Sequence, residues 1–252
     1  MTKAQNNKVK LNNIVSVKDY GAKGDNTTND TAAIQAAINA VLTRGGGVVY
    51  FPQGIYKVSS LSATITVSGA VTLRGEGKYA SILRKISGTA PVLALTSTST
   101  STMDVVGGLE DISLDGVDKA GNGLQLTNLA RFHLTRVGVT NSAVGIENLG
   151  SLIFIASDCL LNGNGIGYRS RKANSVYCNL VEFHAGEARG NSSFAFDLGD
   201  SDSVVLRGVD VSGNGTATDI NTGGVIVRDT IDDETGFGRV VLEGVWFEGN
   251  FG

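Results

Sequence analysis

One pattern of apolar residues recurs through the second half of this chain, and it limits the possible folds more than any other feature. Two apolar residues alternate with other residues, a two-residue gap follows, and the alternation resumes (apolar-x-apolar-x-x-apolar-x-apolar). Unequal spacing between otherwise constant copies predicts a solenoid of stacked β-coils, because loops of different length can leave from the same corners. The predicted copies are Phe132, Leu134, Val137 and Val139; Leu152, Phe154, Ser157 and Cys159; Val181, Phe183, Gly186 and Ala188; Val204, Leu206, Val209 and Val211; and Val240, Leu242, Val245 and Phe247.

Each copy is followed by a turn rich in asparagine and glycine, residues that tolerate the left-handed backbone of a tight corner. The 252 residues include 34 glycines but only 2 prolines, which is unlike collagen and typical of β-structure with many turns. These features predict an all-β parallel β-helix, in which Cys159 is a small buried residue rather than a nucleophile. The predicted corners are Asn141-Ser142, Asn162-Gly163, Gly190-Asn191, Gly213-Asn214 and Gly249-Asn250.

Charge and hydropathy exclude several classes of partner. The formal net charge is −3, so no global field attracts nucleic acid. No run of about 18 apolar residues exists, and the polar segment 1–10 lacks the apolar stretch of a signal peptide. We therefore expect neither nucleic-acid binding nor membrane insertion. We expect the chain to be made in a cytoplasm without a signal peptide. Two cysteines are too few for a disulfide framework.

The first part of the chain predicts one helix, over about residues 30–43, capped by Asn29 or Asp30 and ended by the glycines at 45–47. Its apolar residues fall on one side, so this face must pack on something. Turn and cap chemistry also explains Asp19 and Asp25. The apolar stripe comprises Ile34, Ala37, Ile38, Val41 and Leu42.

Four blocks follow one another in this region: Asp19-Tyr20-Gly21-Ala22-Lys23-Gly24-Asp25, Asp30-Thr31-Ala32-Ala33-Ile34-Gln35, Gly45-Gly46-Gly47 and Phe51-Pro52-Gln53-Gly54-Ile55-Tyr56. They resemble the opening signature of the pectate-lyase-like superfamily, which includes phage tailspikes and capsule depolymerases. The resemblance implies a right-handed, single-stranded parallel β-helix with an N-terminal capping helix. We expect an N-terminal extension at 1–14 and a β-helix domain at 15–252. Because the sequence stops directly after a pattern copy, we also expect its C-terminal cap to come from further chain or from a partner.

The same alignment predicts an acidic column on the outer surface, in which Asp158, Glu187 and Asp210 are the candidate catalytic residues. Acids one or two coils apart are about 5–10 Å apart, a range that includes the carboxylate pairs of glycosidases. Trp246 follows in this column and is predicted to stack on a sugar ring. The alternative is that surface acids on a solenoid align by chance. The full column is Ser113, Gly138, Asp158, Glu187, Asp210 and Trp246.

Other polar residues are further candidates for substrate binding. Glu182 and His184 lie close to the acidic column in sequence. Arg169 and Arg171 belong to the densest basic stretch, which we expect to be a loop that either holds an acidic polysaccharide or is simply solvated.

A second outward column contains three aliphatic residues, which predicts a face buried against a partner subunit or under the stretch 96–103. The resemblance to tailspikes favours burial of this face against partner subunits in a parallel homotrimer. The column is His133, Ile153, Glu182, Val205 and Val241.

The resemblance implies a phage tailspike-type protein of the virion that binds and depolymerises a bacterial surface polysaccharide, capsule or O-antigen, by hydrolysis or elimination. Two alternatives stay open: a non-catalytic attachment segment of a virion, and a cellular carbohydrate-active enzyme of the same fold. The Gly-His-Gly block of polygalacturonases is absent, and Asn221-Thr222-Gly223 is not followed by Asp. No acidic cluster has calcium-site spacing, so we expect no cofactor and no metal.

Overall fold

The computed structural model describes residues 13–65, 69–98, 107–219, 221–228 and 238–251. Within these ranges, a 3-10 turn spans Val17–Tyr20, a single α-helix, α1, spans Thr31–Thr43, and all other regular structure is β. The strands are β1 (Ile14–Ser16), β2 (Asp25–Asn29), β3 (Gly47–Tyr50), β4 (Gly54–Val58), β5 (Leu61–Ile65), β6 (Val71–Arg74), β7 (Ser81–Lys85), β8 (Leu93–Ser97), β9 (Gly107–Glu110), β10 (Ser113–Asp115), β11 (Leu124–Thr127), β12 (Phe132–Thr135), β13 (Gly138–Thr140), β14 (Val144–Leu149), β15 (Ile153–Asn162), β16 (Ile166–Arg171), β17 (Cys178–Arg189), β18 (Phe194–Gly199), β19 (Ser201–Arg207), β20 (Asp210–Ser212), β21 (Gly223–Arg228), β22 (Arg239–Glu243) and β23 (Trp246–Glu248).

These strands wind into a right-handed parallel β-helix with three faces, which confirms the predicted fold. Face A contains β1, β3, β6, β9, β12, the first halves of β15 and β17, β19 and β22. Face B contains β2, β4, β7, β10, β13, the second halves of β15 and β17, β20 and β23. Face C contains β5, β8, β11, β14, β16, β18 and β21. Long β15 and β17 join faces A and B because both run unbroken through the corner between them.

The core pattern occupies the inside of the coil, with one copy placed differently from the prediction. Phe132 pairs with Phe154, not with Leu152, so the true copy is Phe154, Ala156, Cys159 and Leu161. Packing explains the shift of two residues. Phe154 stacks on the buried ring of Tyr168, with centroids 5.5 Å apart, and small Ala156 lies inward beside it. Each large side chain buried in this way stabilises the fold by about 1.5–3 kcal/mol.

The two corners that bound face B use different residues. Between faces A and B, Asp111, Arg136, Asp158 and Ala185 have positive φ, and glycines replace them in later coils. Between faces B and C, Asn141 and the glycines at 163, 190, 213 and 249 take this conformation. In the predicted pair Asn141-Ser142, the asparagine makes the turn. In each of the other four predicted pairs, the glycine makes it.

The asparagine that follows each of these corner glycines has a separate role, because its side-chain amide bonds to backbone groups of the preceding coil, and at Asn164, Asn191 and Asn214 it is also buried. Asn191 Oδ1 accepts from the backbone N–H of Asn164 at 3.0 Å, and its Nδ2 donates to Leu161 O at 2.8 Å. Asn214 repeats this arrangement one coil on. A buried amide that satisfies backbone groups in this way ties successive coils together.

Helix α1 covers the N-terminal end of the coil. Its stripe is buried at Ile34, Ala37, Ile38 and Val41 against β1, β3 and β5. The buried Asp30 does not cap the helix with its side chain, but accepts from the backbone N–H groups of Lys23 and Gly24 at 2.6 and 2.9 Å. This contact fixes the glycine turn that leads into the helix.

Asp25 is held in a local turn, as expected. Its carboxylate accepts from the backbone N–H groups of Thr28 and Thr27, and these hydrogen bonds hold the pKa of Asp25 well below its usual value. At the other end of the solenoid, the inward-facing side chains of Leu242 and Phe247 are 48% and 47% exposed. The last described coil is therefore open to solvent, and the expected cap stays a prediction.

Candidate functional site

Face B presents one outward column whose chemistry changes along its length. Its register, one residue per coil, is Ile82, Ser113, Gly138, Leu160, Glu187, Asp210 and Trp246. Successive members are about 4.8 Å apart. The first four are apolar or small, the next two are acidic, and the last is a tryptophan with 64% exposure.

A groove of about 260 Å³ lies over the apolar part of this column. One wall is the connection between β6 and β7, which runs along the corner of the coil. Lys78 in this wall forms an ion pair with Asp158 at 3.1 Å, and its carbonyl accepts from the Ser113 hydroxyl. Gly138 in the floor leaves room for these contacts, since a Cβ there would collide with Ser113 Oγ. Tyr79 in the wall is 78% exposed.

The opposite rim of the groove is polar and held in place by contacts between neighbouring coils. Arg84 donates from Nε to Asp115 at 2.9 Å and from Nη1 to Asn26 at 3.2 Å. Asn162, at the far end of this rim, donates from Nδ2 to Glu187 Oε1 at 2.8 Å. The groove therefore leads directly to the acidic part of the column.

Glu187 and Asp210 form an acid pair on adjacent coils. Arg189 contacts both, at 3.2 Å to Glu187 and 3.0 Å to Asp210, so its guanidinium offsets the repulsion between the two carboxylates. Asp210 Oδ1 is buried and has no hydrogen-bond partner among the described residues. Two carboxylates about one coil spacing apart are near the separation used by retaining glycosidases.

The predicted place of Asp158 in this column is wrong, because Leu160 occupies it. Asp158 lies two residues earlier, at a corner with φ of 52°, and its side chain pairs with Lys78. The error follows from the misplaced core copy in β15. The catalytic role of Asp158 stays a prediction, and the column alignment no longer supports it.

Comparison with known proteins places the chain in a family. The model of the family described as rhamnogalacturonase A/epimerase, pectate lyase-like, matches residues 14–219. This chain belongs to that family. Glu187 and Asp210 lie inside the matched region, and Trp246 lies outside it.

Individual proteins are similar to this chain over a shorter stretch or at lower identity. Mannuronan C5-epimerase AlgE3 of Azotobacter vinelandii is 37% identical over 106 residues, which are 40% of this chain and 6% of that protein. The chain thus spans a small part of this relative. Among solved structures, the enzymatically active domain of bacteriophage CBA120 tailspike protein 2 has a TM-score of 0.58 at 13% identity, covering 92% of this chain and 41% of that one. The GH87 α-1,3-glucanase of Streptomyces thermodiastaticus has a TM-score of 0.55 at 18% identity, covering 93% and 46%. The two TM-scores show a shared fold, and at these low identities the likeness extends no further.

Two candidate residues lie around the corner from the groove, on face A. Glu182 Oε2 and His184 Nε2 are 2.8 Å apart, and Ser157 and Arg207 flank His184 on the adjacent coils. The structure therefore separates this pair from Glu187, although all three belong to β17.

Arg169 and Arg171 were expected in a loop, and this is wrong, because both lie in strand β16 on face C. The fully buried Tyr168 holds the strand inward. Arg169 pairs with Glu147, and Arg171 pairs with Asp197, both at 2.6 Å. Both guanidiniums are engaged within the chain and face away from the groove.

The second outward column also shifts in β15. Ile155, not Ile153, lies between His133 and Glu182, and Ile153 instead pairs with Leu180 in the neighbouring row. Val205 in this column is 6% exposed. The alternative covering segment, 96–103, lies mostly outside the described residues. What covers this face stays a prediction.

The structure adds Lys78, Tyr79 and Arg189 to the candidate site, and sequence reasoning missed all three. Lys78 and Asp158 are 80 residues apart in sequence, and no local pattern indicates their contact. Among the described residues, no group of His, Cys, Asp or Glu side chains could hold a metal ion, and no helix there is long and apolar enough to cross a membrane. Burial raises the pKa of Cys159 to about 12, which keeps this thiol protonated.

Proposed function

We propose that this protein is a phage tailspike-type protein that binds a bacterial surface polysaccharide, capsule or O-antigen, along face B and cleaves it at Glu187 and Asp210. The single observation that supports this most is the continuity of the column, in which an open groove leads to an acid pair and then to an exposed tryptophan. An open groove suits a long chain, because the polymer can enter sideways and extend beyond both ends.

Each part of the column has a role in this proposal. Tyr79 and Trp246 offer flat apolar rings on which sugars stack. One of the acids protonates the leaving glycosidic oxygen, and the other acts as nucleophile or base. Arg189 positions both carboxylates by its two contacts. No cofactor enters the proposed reaction.

The assembly and location belong to the same proposal. A parallel homotrimer would bury outward aliphatic residues of face A that are partly exposed in the single chain, such as Ile155 and Val241. The fold shared with the CBA120 tailspike supports a place in the phage tail, where the protein would act at the host surface.

A non-catalytic glycan-binding protein is the second candidate, and the same arginine favours it. Because Arg189 contacts both carboxylates, the acid pair can also serve as a fixed polar surface that binds sugar hydroxyls without proton transfer.

Activity on purified polysaccharides distinguishes the two candidates. The chain is incubated with a panel of capsular and O-antigen polysaccharides, and new reducing ends and unsaturated uronates are measured together with binding. Cleavage of at least one polymer is expected, and reducing ends without absorbance of unsaturated uronate would indicate hydrolysis. Binding without cleavage across the panel would leave only the attachment function, and no binding at all would contradict both.

A further inference from the structure

The groove on face B has a floor with unusual chemistry for a sugar site, because it offers very little hydrogen bonding. Its two floor residues, Ser113 and Gly138, are small and lie between the aliphatic side chains of Ile82 and Leu160. The Ser113 hydroxyl already donates to the carbonyl of Lys78, and the Gly138 N–H donates to Ile112 O at 3.1 Å.

A sugar hydroxyl placed on this floor would lose its hydrogen bonds to water and gain little in return, which is costly. A methyl group over Gly138 would instead leave water and contact the side chain of Leu160 on the adjacent coil favourably. The rim differs, because Arg84 uses Nε and Nη1 for its two contacts within the chain and retains Nη2 for a ring hydroxyl.

From this contrast we propose that the groove is a subsite for one sugar ring that bears a methyl group, either a 6-deoxyhexose or an acetylated sugar, with the methyl group over Gly138. The volume of about 260 Å³ suits one ring rather than a longer segment. This inference rests on the proposed function and names the class of polysaccharide that face B accepts.

The geometry also gives the subsite a role in placing the reactive bond. Asn162 at the end of the groove contacts Glu187, and Leu160 pairs with Glu187 in the ladder. A ring anchored over Gly138 puts its next glycosidic linkage toward the acid pair. The methyl-bearing sugar therefore sets the register of the polymer.

Saturation-transfer NMR on the whole chain tests the subsite with matched free sugars: L-fucose against L-galactose, and N-acetylgalactosamine against galactose. We expect the methyl-bearing member of each pair to bind about three- to fivefold more tightly, as the burial of one methyl group allows, and its methyl protons to receive the strongest saturation. Equal binding within both pairs, or no binding by any of the four sugars, would overturn the proposal.

A pair of variants places the effect at the floor. Ser113→Ala keeps the floor open and should retain the preference, whereas Ser113→Ala combined with Gly138→Val fills it and should abolish the preference. Removing the hydroxyl first avoids its collision with the new Cβ. If the double variant fails to fold by circular dichroism, Leu160→Asn replaces it, since an amide at the groove end should remove the preference as well. A preference that survives the folded variant contradicts the site.

Cleavage of polysaccharide, measured on the same preparation, separates this inference from the proposed function. A chain that cuts polymer but shows no preference within the sugar pairs contradicts the subsite alone. A chain that shows the preference but cuts no polymer contradicts the enzymatic function and leaves the subsite standing.

Discussion

Faces B and C both carry acids and arginines on the outside of parallel strands, yet the two surfaces pair these charges differently. On face C, Asp197 is 5% exposed and contacts two guanidiniums, those of Arg171 and Arg228 at 2.6 and 2.8 Å. On face B, two carboxylates share the single guanidinium of Arg189, and each is about one quarter to one third exposed. Both faces carry charges of both signs, but of these two described surfaces it is face B that leaves acid groups accessible beside a groove.

This difference shows that a charged residue on a solenoid indicates function only once its partners are known. Excess arginine closes the acids of face C into a structural network, whereas excess carboxylate on face B leaves acids accessible to a ligand. Substitutions on the two faces should therefore change different properties of the protein.

The largest expected effect concerns catalysis on face B. Glu187→Gln and Asp210→Asn should each lower polysaccharide turnover by about 10²–10⁴-fold, because in the proposed reaction each removes a group that transfers a proton or bonds to the sugar. Asp202→Asn, at an exposed acid of face A, is the control and should leave turnover unchanged. Initial rates of reducing-end release measure the effect, and full activity in both face B variants would remove the acid pair from the mechanism.

Stability should respond more strongly on face C. Asp197→Ala leaves two guanidiniums without their partner, so we expect it to lower the free energy of unfolding by about 2–3 kcal/mol, less than a fully buried pair would, since Arg228 is partly solvated. Asp210→Ala should cost less than about 1 kcal/mol. Urea unfolding measures both, and equal losses would mean that the two faces do not differ as described.

The fold could be predicted from the sequence, apart from a two-residue error in the register of strand β15. Alternation fixes which residues face inward, but Leu152-x-Phe154 and Phe154-x-Ala156 fit it equally well, and packing against Tyr168 selects the second. A sequence signal for the right choice did exist. The outward residue three positions before each corner residue is Gly138, Leu160, Glu187, Asp210 or Trp246, so counting back from the corner gives the true register.

The candidate site was less predictable, because it depends on contacts between coils. Glu187 and Asp210 are adjacent as expected, since both lie in the correctly aligned part of the pattern. The wall of the groove depends on the contact of Lys78 with Asp158, which are several coils apart. The course of a connecting loop along the coil is set by tertiary packing, and alternation carries no information about it.

A smaller effect is expected at the wall of the groove. Tyr79→Ala should weaken polysaccharide binding about fivefold, since a stacked ring contributes on the order of 1 kcal/mol, without a change in unfolding. Tyr79→Phe keeps the ring and should restore binding. Calorimetric titration with the polysaccharide measures the affinity of both variants. If Tyr79→Ala binds as tightly as the wild type, this ring does not belong to the binding surface.

The smallest effect is expected at the corner between faces A and B, where pairing occurs without burial. Hydrogen bonds from Arg136, at 2.6 and 2.7 Å, lower the pKa of Asp111, so this carboxylate stabilises the fold above its unfolded pKa of about 3.9 and loses that contribution as the pH falls further. Asp111→Asn should therefore be slightly less stable than the wild type at pH 7, and the gap should close below about pH 4. Thermal unfolding across this range measures the gap. Because Arg136 is half exposed, Asp111→Asn should lower the stability of the fold less than Asp197→Ala does. An equal loss of stability would mean that the number of contacts, rather than their burial, distinguishes the structural charges of this solenoid from the accessible ones.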